Sequence, residues 1–127
     1  MQGIDDFLKQ AAAIPGALGA NLVDYTNGLT LGGAGKDSRD QHDAVAAADA
    51  TDVIRATVEG ITFTSPENDD ALEDILVSTS RRYHLLRFVE IASGTRLFCH
   101  CRLDRDEANL AVARHQLRLI TRTPVSP

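Results

Sequence analysis

The side chains with the most chemical promise gather at a few places in this 127-residue chain. The first is Gly32-Gly33-Ala34-Gly35-Lys36-Asp37-Ser38, which follows a strand-like stretch and opens a helical one, the position of a phosphate-binding loop. The spacing does not complete that motif. Thr30 stands where the loop needs its first glycine, five residues before Gly35, and Asp37 follows Lys36 where a Ser or Thr is required to ligate Mg²⁺. A carboxylate at that place repels phosphate, so the segment reads as a loop into a capped helix. The second place is Cys99-His100-Cys101. On a strand the two sulfurs point one way and the imidazole the other, so the three cannot share one metal ion. Two free thiols in an apolar setting are the simpler reading.

The remaining reactive groups are scattered. His42, His84 and His115 stand in no H-E-x-x-H, G-x-S-x-G or Cys–His pattern, so nothing pairs a nucleophile with a base. Asp5-Asp6, Asp69-Asp70 and Glu73-Asp74 offer adjacent carboxylates, but neighbours in sequence point apart, and helix starts and turns account for them. No catalytic residue, cofactor or metal is assigned. The local chemistry favours a binding module over an enzyme.

The elements that position these groups follow from hydrophobic spacing. Ile4, Phe7, Leu8, Ala11 and Ala12 form one face of a helix that Pro15-Gly16 ends. A hairpin follows, with Ala17–Asp24 as one strand, Asn27-Gly28 as a two-residue type I′ turn and Leu29–Leu31 as the return. Ser38 and Gln41 have capping-box spacing, opening a long helix over Arg39–Glu59. Its apolar residues form two adjacent stripes, Ala44, Ala47, Ala48, Thr51, Ile54 and Val58 beside Ala46, Ala50, Val53 and Thr57. A helix apolar over more than one face is covered on more than one side, by its own sheet and by a second helix. After the polar linker Thr64–Asp70 come three strands: Glu73–Thr79, Arg82–Val89 after a tight Ser80-Arg81 turn, and Leu97–Leu103. The consecutive apolar residues Ile75-Leu76-Val77 and Leu85-Leu86 predict a sheet covered on both faces. Asp104 or Asp106 caps the last helix, whose buried stripe is Leu110, Ala113, Leu117 and Ile120. The expectation is an α+β domain over residues 1–122, of order α-β-β-α-β-β-β-α, with a disordered tail at 123–127.

Composition narrows the function classes. The chain has 13 basic and 18 acidic residues, a net charge of −5, which argues against nucleic acid or an anionic membrane as the main partner. Residues 1–70 carry 4 basic and 12 acidic groups and residues 71–127 carry 9 and 6, a split that fits a surface patterned for a macromolecule or two separately solvated faces. No apolar run is long enough to span a bilayer. Asp5 and Asp6 stand where a secretory signal needs positive charge, so a cytoplasmic location is expected, with Cys99 and Cys101 as reduced thiols.

Ile14-Pro15-Gly16-Ala17-Leu18-Gly19-Ala20, then Val23-Asp24 through Asn27-Gly28-Leu29, then Arg82-Tyr83-His84-Leu85-Leu86 and Leu110-Ala111-Val112-Ala113-Arg114 occur in a telling order. In these stretches the chain resembles the bacterial branch of the roadblock/LC7 family, which contains partners of small Ras-like GTPases. The resemblance runs from Ile4 to Ile120. It implies a single five-stranded antiparallel sheet, with the long helix on one face and the terminal helices on the other. It also implies a homodimer, made by edge pairing of the Glu73–Thr79 strand and contact between two long helices. The expected dimer residues are Ala47, Thr51, Ile54, Ile75, Leu76 and Val77.

The function implied is a non-catalytic adaptor or regulator of a small Ras-like GTPase, including acceleration of hydrolysis without a donated catalytic residue. Asp49, Asp52, Arg55 and Glu59, on the exposed side of the long helix, are the candidate contacts, with an Arg55–Glu59 pair one helical turn apart as the plain alternative. Two other readings stand beside it: a small-molecule sensor domain, marked by an apolar pocket with convergent polar groups, and a pure dimerisation module.

Overall fold

The computed structural model describes residues 2–60, 72–89 and 96–126. The Thr64–Asp70 linker lies outside them. The elements are β1 (Gln2–Gly3), α1 (Ile4–Ala12), β2 (Ala17–Asp24), β3 (Thr30–Gly35), α2 (Asp40–Gly60), β4 (Asp74–Ser78), β5 (Arg82–Val89), β6 (Leu97–Asp104), α3 (Leu110–Arg122) and β7 (Val125–Ser126). Apart from the two short terminal strands, this is the expected order. Five strands form one antiparallel sheet in the order β3-β2-β6-β5-β4, which leaves β3 and β4 as its edges.

Burial of both faces follows from the strand sequences. β6 is buried from Leu97 to Leu103, and alternation divides it: Leu97, Cys99, Cys101 and Leu103 face α1 and α3, whereas Phe98 faces α2. On the first face Phe7, Leu8 and Ala11 of α1 and Ala113 and Leu117 of α3 close over Ala20, Leu22 and Leu85. On the second, Ala47, Ala50 and Ile54 of α2 pack on Val23, Leu86 and Phe98. Each fully buried Leu or Phe contributes about 2 kcal/mol relative to exposure. α2 lies over β2 and β3. Among the described residues, much of the same face along β4 and β5 has little helical cover, and that asymmetry shapes the site described below.

Four local expectations are corrected. The β2–β3 connection is a five-residue loop, Tyr25–Leu29, and not a two-residue turn. The Gly28 N–H donates to Asp24 O at 2.8 Å, and Gly28 sits at φ +73°, where a glycine is favoured. The glycines of Gly32–Gly35 are strand and not loop, because β3 pairs with β2 from Gly19↔Gly35 to Val23↔Thr30. Asn109, rather than Asp104 or Asp106, caps α3: its side chain accepts from the Val112 N–H, while the Asp104 carboxylate is taken by the Asp106 N–H. The end of the chain is not a free tail. Val125 is fully buried and pairs in parallel with Gln2, whose side-chain amide donates to Ile120 O and Thr123 O.

Candidate functional site

The groups with chemical promise separate once placed on these elements. Cys99 and Cys101 are buried beneath α1 and α3, and burial pushes both thiols up, Cys101 to about 12, so neither is a thiolate at neutral pH. Lys36 follows the last residue of β3, an edge strand, and is exposed. Asp74 of the Glu73-Asp74 pair is held by the Arg114 guanidinium at 3.0 Å and approached by Arg87 at 3.5 Å, a structural clasp between β4, β5 and α3. Among the described residues no group of three His, Cys, Asp or Glu side chains could hold a metal ion.

The most unusual chemistry lies under the N-terminal half of α2. Arg102, on β6, is 1% exposed, and its Nε and Nη2 each donate to an Asp37 carboxylate oxygen at 2.8 Å. Nη2 also reaches Asn21 Oδ1 at 3.3 Å and lies 4.0 Å from Asp43 Oδ1. The Ser38 hydroxyl donates to Asp43 Oδ2 at 2.6 Å, and the Asn21 amide donates to Asp43 O at 3.2 Å. The expected Ser38–Gln41 capping box is therefore replaced: Ser38 serves the Asp43 carboxylate, and α2 begins at Asp40. Burial opposes the charge on Arg102, but the hydrogen bonds and charge of Asp37, with help from Asp43, outweigh it and hold its proton more tightly than usual. Burial likewise raises Asp37, and Arg102 overrides it, so the carboxyl lies below its ordinary value.

Two glycines make room for this cluster. A Cβ on Gly33 would meet Asp43 Oδ2, Ser38 Oγ and Asn21 Oδ1 at 2.5–2.8 Å, and one on Gly19 would overlap Asp37 Oδ1 and Arg102 Nη2. Of the glycines that look like a nucleotide loop in sequence, Gly33 makes room for these polar side chains, whereas Gly35 lies at φ +107° against the backbone of Leu18 and Gly19.

Beside Arg102, His84 Nδ1 and His100 Nε2 lie 2.9 Å apart, their rings stacked with centroids at 5.1 Å. Burial, then the charges of Arg102 and His84, lower His100 to about 3. Burial, then Arg82 and Arg102, lower His84. Both rings are neutral at pH 7. Alternation puts His100 and Arg102 on the α2 face together, as the sequence indicates. The His84–His100 and Arg102–Asp37 pairings join residues 16 and 65 positions apart and leave no local spacing signal. An arginine inside an otherwise apolar strand is the one clue, since a buried cation requires a carboxylate.

These groups form one end of a groove of about 230 Å³ between α2 and the sheet. Ala46, Asp49 and Val53 make its helix wall, and Val77, Leu86, Arg82 and His84 line its sheet side. The residues expected to contact a partner divide here. Asp49 stands at the groove and Asp52 on the exposed face of α2. Arg55 instead turns inward, donating to Tyr25 O at 3.2 Å and Thr26 O at 3.0 Å, and Glu59 accepts from the Tyr25 hydroxyl at 3.1 Å. Both brace the β2–β3 loop. No Arg55–Glu59 ion pair forms among the described residues.

The expected dimer residues divide as well. Ala47, Thr51 and Ile54 are buried on the chain's own sheet and are not offered to a second protomer. The periodicity identifies both stripes of α2 but not which of them meets the sheet. Ile75 also packs inward, against the α2-side core. Leu76 and Val77 remain 40% and 36% exposed on the β4 edge, and Val45 and Val53 of α2 are 62% and 37% exposed.

No family profile and no characterised protein matches the chain by sequence. Its fold is nevertheless shared with known structures. A Roadblock/LC7 domain from Streptomyces avermitilis superposes with a TM-score of 0.72 at 15% identity, covering 96% of this chain and 94% of that one. MglB from Myxococcus xanthus gives 0.66 at 15% identity over 91% and 83%. The gliding protein MglB from Thermus thermophilus gives 0.63 at 13% identity over 92% and 87%. With the long helix on one face of a β3-β2-β6-β5-β4 sheet and the terminal helices on the other, the chain has the roadblock/LC7 fold.

Proposed function

We propose that this chain is a self-associating, non-catalytic platform for a small Ras-like GTPase, and that its working surface is the outer side of α2 together with the β4 edge. The observation that carries this reading is an apolar strip on one side of the molecule. Val45 and Val53 on α2, with Val77 on β4, are all exposed, next to a strand edge whose N–H and C=O groups have no neighbouring strand among the described residues. An unprotected apolar edge invites pairing with another chain, and a second copy satisfies both the edge and the helix. The roadblock/LC7 fold and the family resemblance of the sequence supply the class of partner. The acidic pair Asp49 and Asp52, flanked by those valines, is the surface offered to it, with Arg55 and Glu59 supporting the loop beneath.

The test is capture from the native cell extract with the wild-type chain and with Asp52→Arg, followed by identification of bound proteins and their nucleotide state. The expected result is a Ras-like GTPase retained by the wild type and lost with Asp52→Arg. Absence of any such GTPase, or equal retention by both, contradicts the proposal.

A further inference from the structure

We infer that the outer face of α3 is an interaction surface of its own, and that it docks head to tail on the outer face of α2 in a second copy. The two helices cover opposite faces of one sheet, α3 the side built on Leu85 and Leu103 and α2 the side built on Val23 and Phe98. Their exposed charges have opposite signs. α2 presents Asp40, Asp49, Asp52 and Glu59, while its one arginine, Arg55, is turned into the β2–β3 loop. α3 contains no acidic residue. Arg114 is taken by Asp74, and Arg118 and Arg122 make no ion pair among the described residues. Both stand near enough to Arg87 to help loosen its proton, so four guanidinium groups share Asp74 and Glu73. α1, on the same side of the sheet, carries Asp5, Asp6 and Lys9, which confines the positive charge to α3.

Each face also leaves apolar side chains uncovered, and their intervals match. Val112 and Leu119 of α3 stand seven residues apart and are 43% and 50% exposed. Val45, Asp52 and Glu59 repeat at the same interval on α2. Seven residues are about two helical turns, so each set forms one row. With the two helices parallel, Val45 lies against Val112, and Asp52, seven residues on, falls level with Arg118, with Arg122 a turn further. The complementary row is on this chain itself, so the occupant is a second copy.

One copy uses α2 on one side of its sheet and α3 on the other. The contact is therefore not returned within a pair and builds open chains. Exposed ion pairs are weak singly and are screened within about 8 Å at physiological ionic strength, so the chains form where the protein is concentrated and disperse on dilution. Asp52 also belongs to the surface proposed for the GTPase, so the two contacts exclude one another. That consequence rests on the preceding reading, whereas the contact itself does not.

The test is sedimentation velocity of the full chain carrying Val77→Lys. This change takes the β4 edge out of the comparison, so failure here and failure of edge pairing are read separately. Mass is followed from about 20 μM to 1 mM protein in about 25 and about 500 mM NaCl, where the screening length is roughly 20 and 4 Å. We expect the average mass to rise about twofold or more with concentration at low salt and to stay constant at high salt. Asp52→Arg or Arg118→Glu, each added singly, should weaken the association roughly tenfold, with circular dichroism reporting that each variant stays folded. An equimolar mixture of the two should restore it, because each supplies the charge that the other lacks. No rise at low salt, a rise that salt does not reduce, loss with only one of the two variants, or a mixture that stays dispersed overturns the inference.

Discussion

Arg102 on β6 and Asp37 in the β3–α2 connection form a two-pronged ion pair, Nε and Nη2 each 2.8 Å from a carboxylate oxygen, across 65 positions of sequence. The pair fastens the start of the long helix to the middle of the sheet; Asn21 Oδ1 accepts a further bond from Nη2, and Ser38 and the Asn21 amide hold Asp43 beside it.

Asp37→Ala leaves the buried guanidinium without its main counter-charge and is expected to cost about 3 kcal/mol, read from urea denaturation at pH 7. The pH dependence has a definite sign. Arg102 holds the Asp37 carboxyl below its ordinary 3.8 against the opposing effect of burial. That contribution is present above pH 3.8 and is lost as pH falls through the lower folded value. Asp37→Ala should therefore flatten the most acidic limb of the stability curve.

His100 acts in a higher window. Its folded value of about 3, against 6.5 when unfolded, means that the unfolded chain binds the extra proton as pH falls through 6.5. Stability should decline by about 2 kcal/mol between pH 7 and pH 5, with His84 adding to it in the same direction. His100→Phe should remove most of that slope while leaving the Asp37 limb in place, as measured by denaturation at a series of pH values.

Gly33→Ala should lower the melting temperature, because the added methyl meets three polar side chains within 2.8 Å. Gly60→Ala is the comparison. Among the described residues nothing lies within 4 Å of an added Cβ, and at the end of α2 the change should be neutral or stabilising by up to about 1 kcal/mol. Equal effects of the two substitutions would show that crowding at the polar cluster is not what requires Gly33.

The amphipathic stripe from Ile4 to Ala12, the alternation in Leu97–Leu103 and the Ser80-Arg81 turn could all be read from sequence, because periodicity and turn chemistry are local. What escaped depends on contacts made at a distance. Gly32–Gly35 has the composition of a loop, and only distant neighbours explain a glycine-rich strand: the side chains of Asn21, Ser38 and Asp43 at Gly33, and the backbone of Leu18 and Gly19 at Gly35. Val125 carries no signal of burial until Gln2 is beside it. The candidate site was half legible. The double stripe on α2 announces a second cover, but choosing which stripe faces the sheet requires the α2–sheet contact itself, and it turns Ala47, Thr51 and Ile54 inward.

Arg55 illustrates the same point in a testable form. Because it donates to two backbone carbonyls of the β2–β3 loop, Arg55→Ala should lose about 1–2 kcal/mol of stability, visible in thermal melts. Affinity for a partner at Asp49 and Asp52 should change little at temperatures where the variant is folded. A large loss of partner binding with unchanged stability would place Arg55 back in the contact surface.

If the outer side of α2 and the β4 edge form one protein-binding face, the purified chain associates through it, and sedimentation equilibrium reads this out. The expected mass is twice the 13.7 kDa of one chain, falling to that of a single chain in Val77→Lys and in Val53→Asp. A wild-type chain that is monomeric at every concentration, or a dimer that both substitutions leave intact, would contradict it.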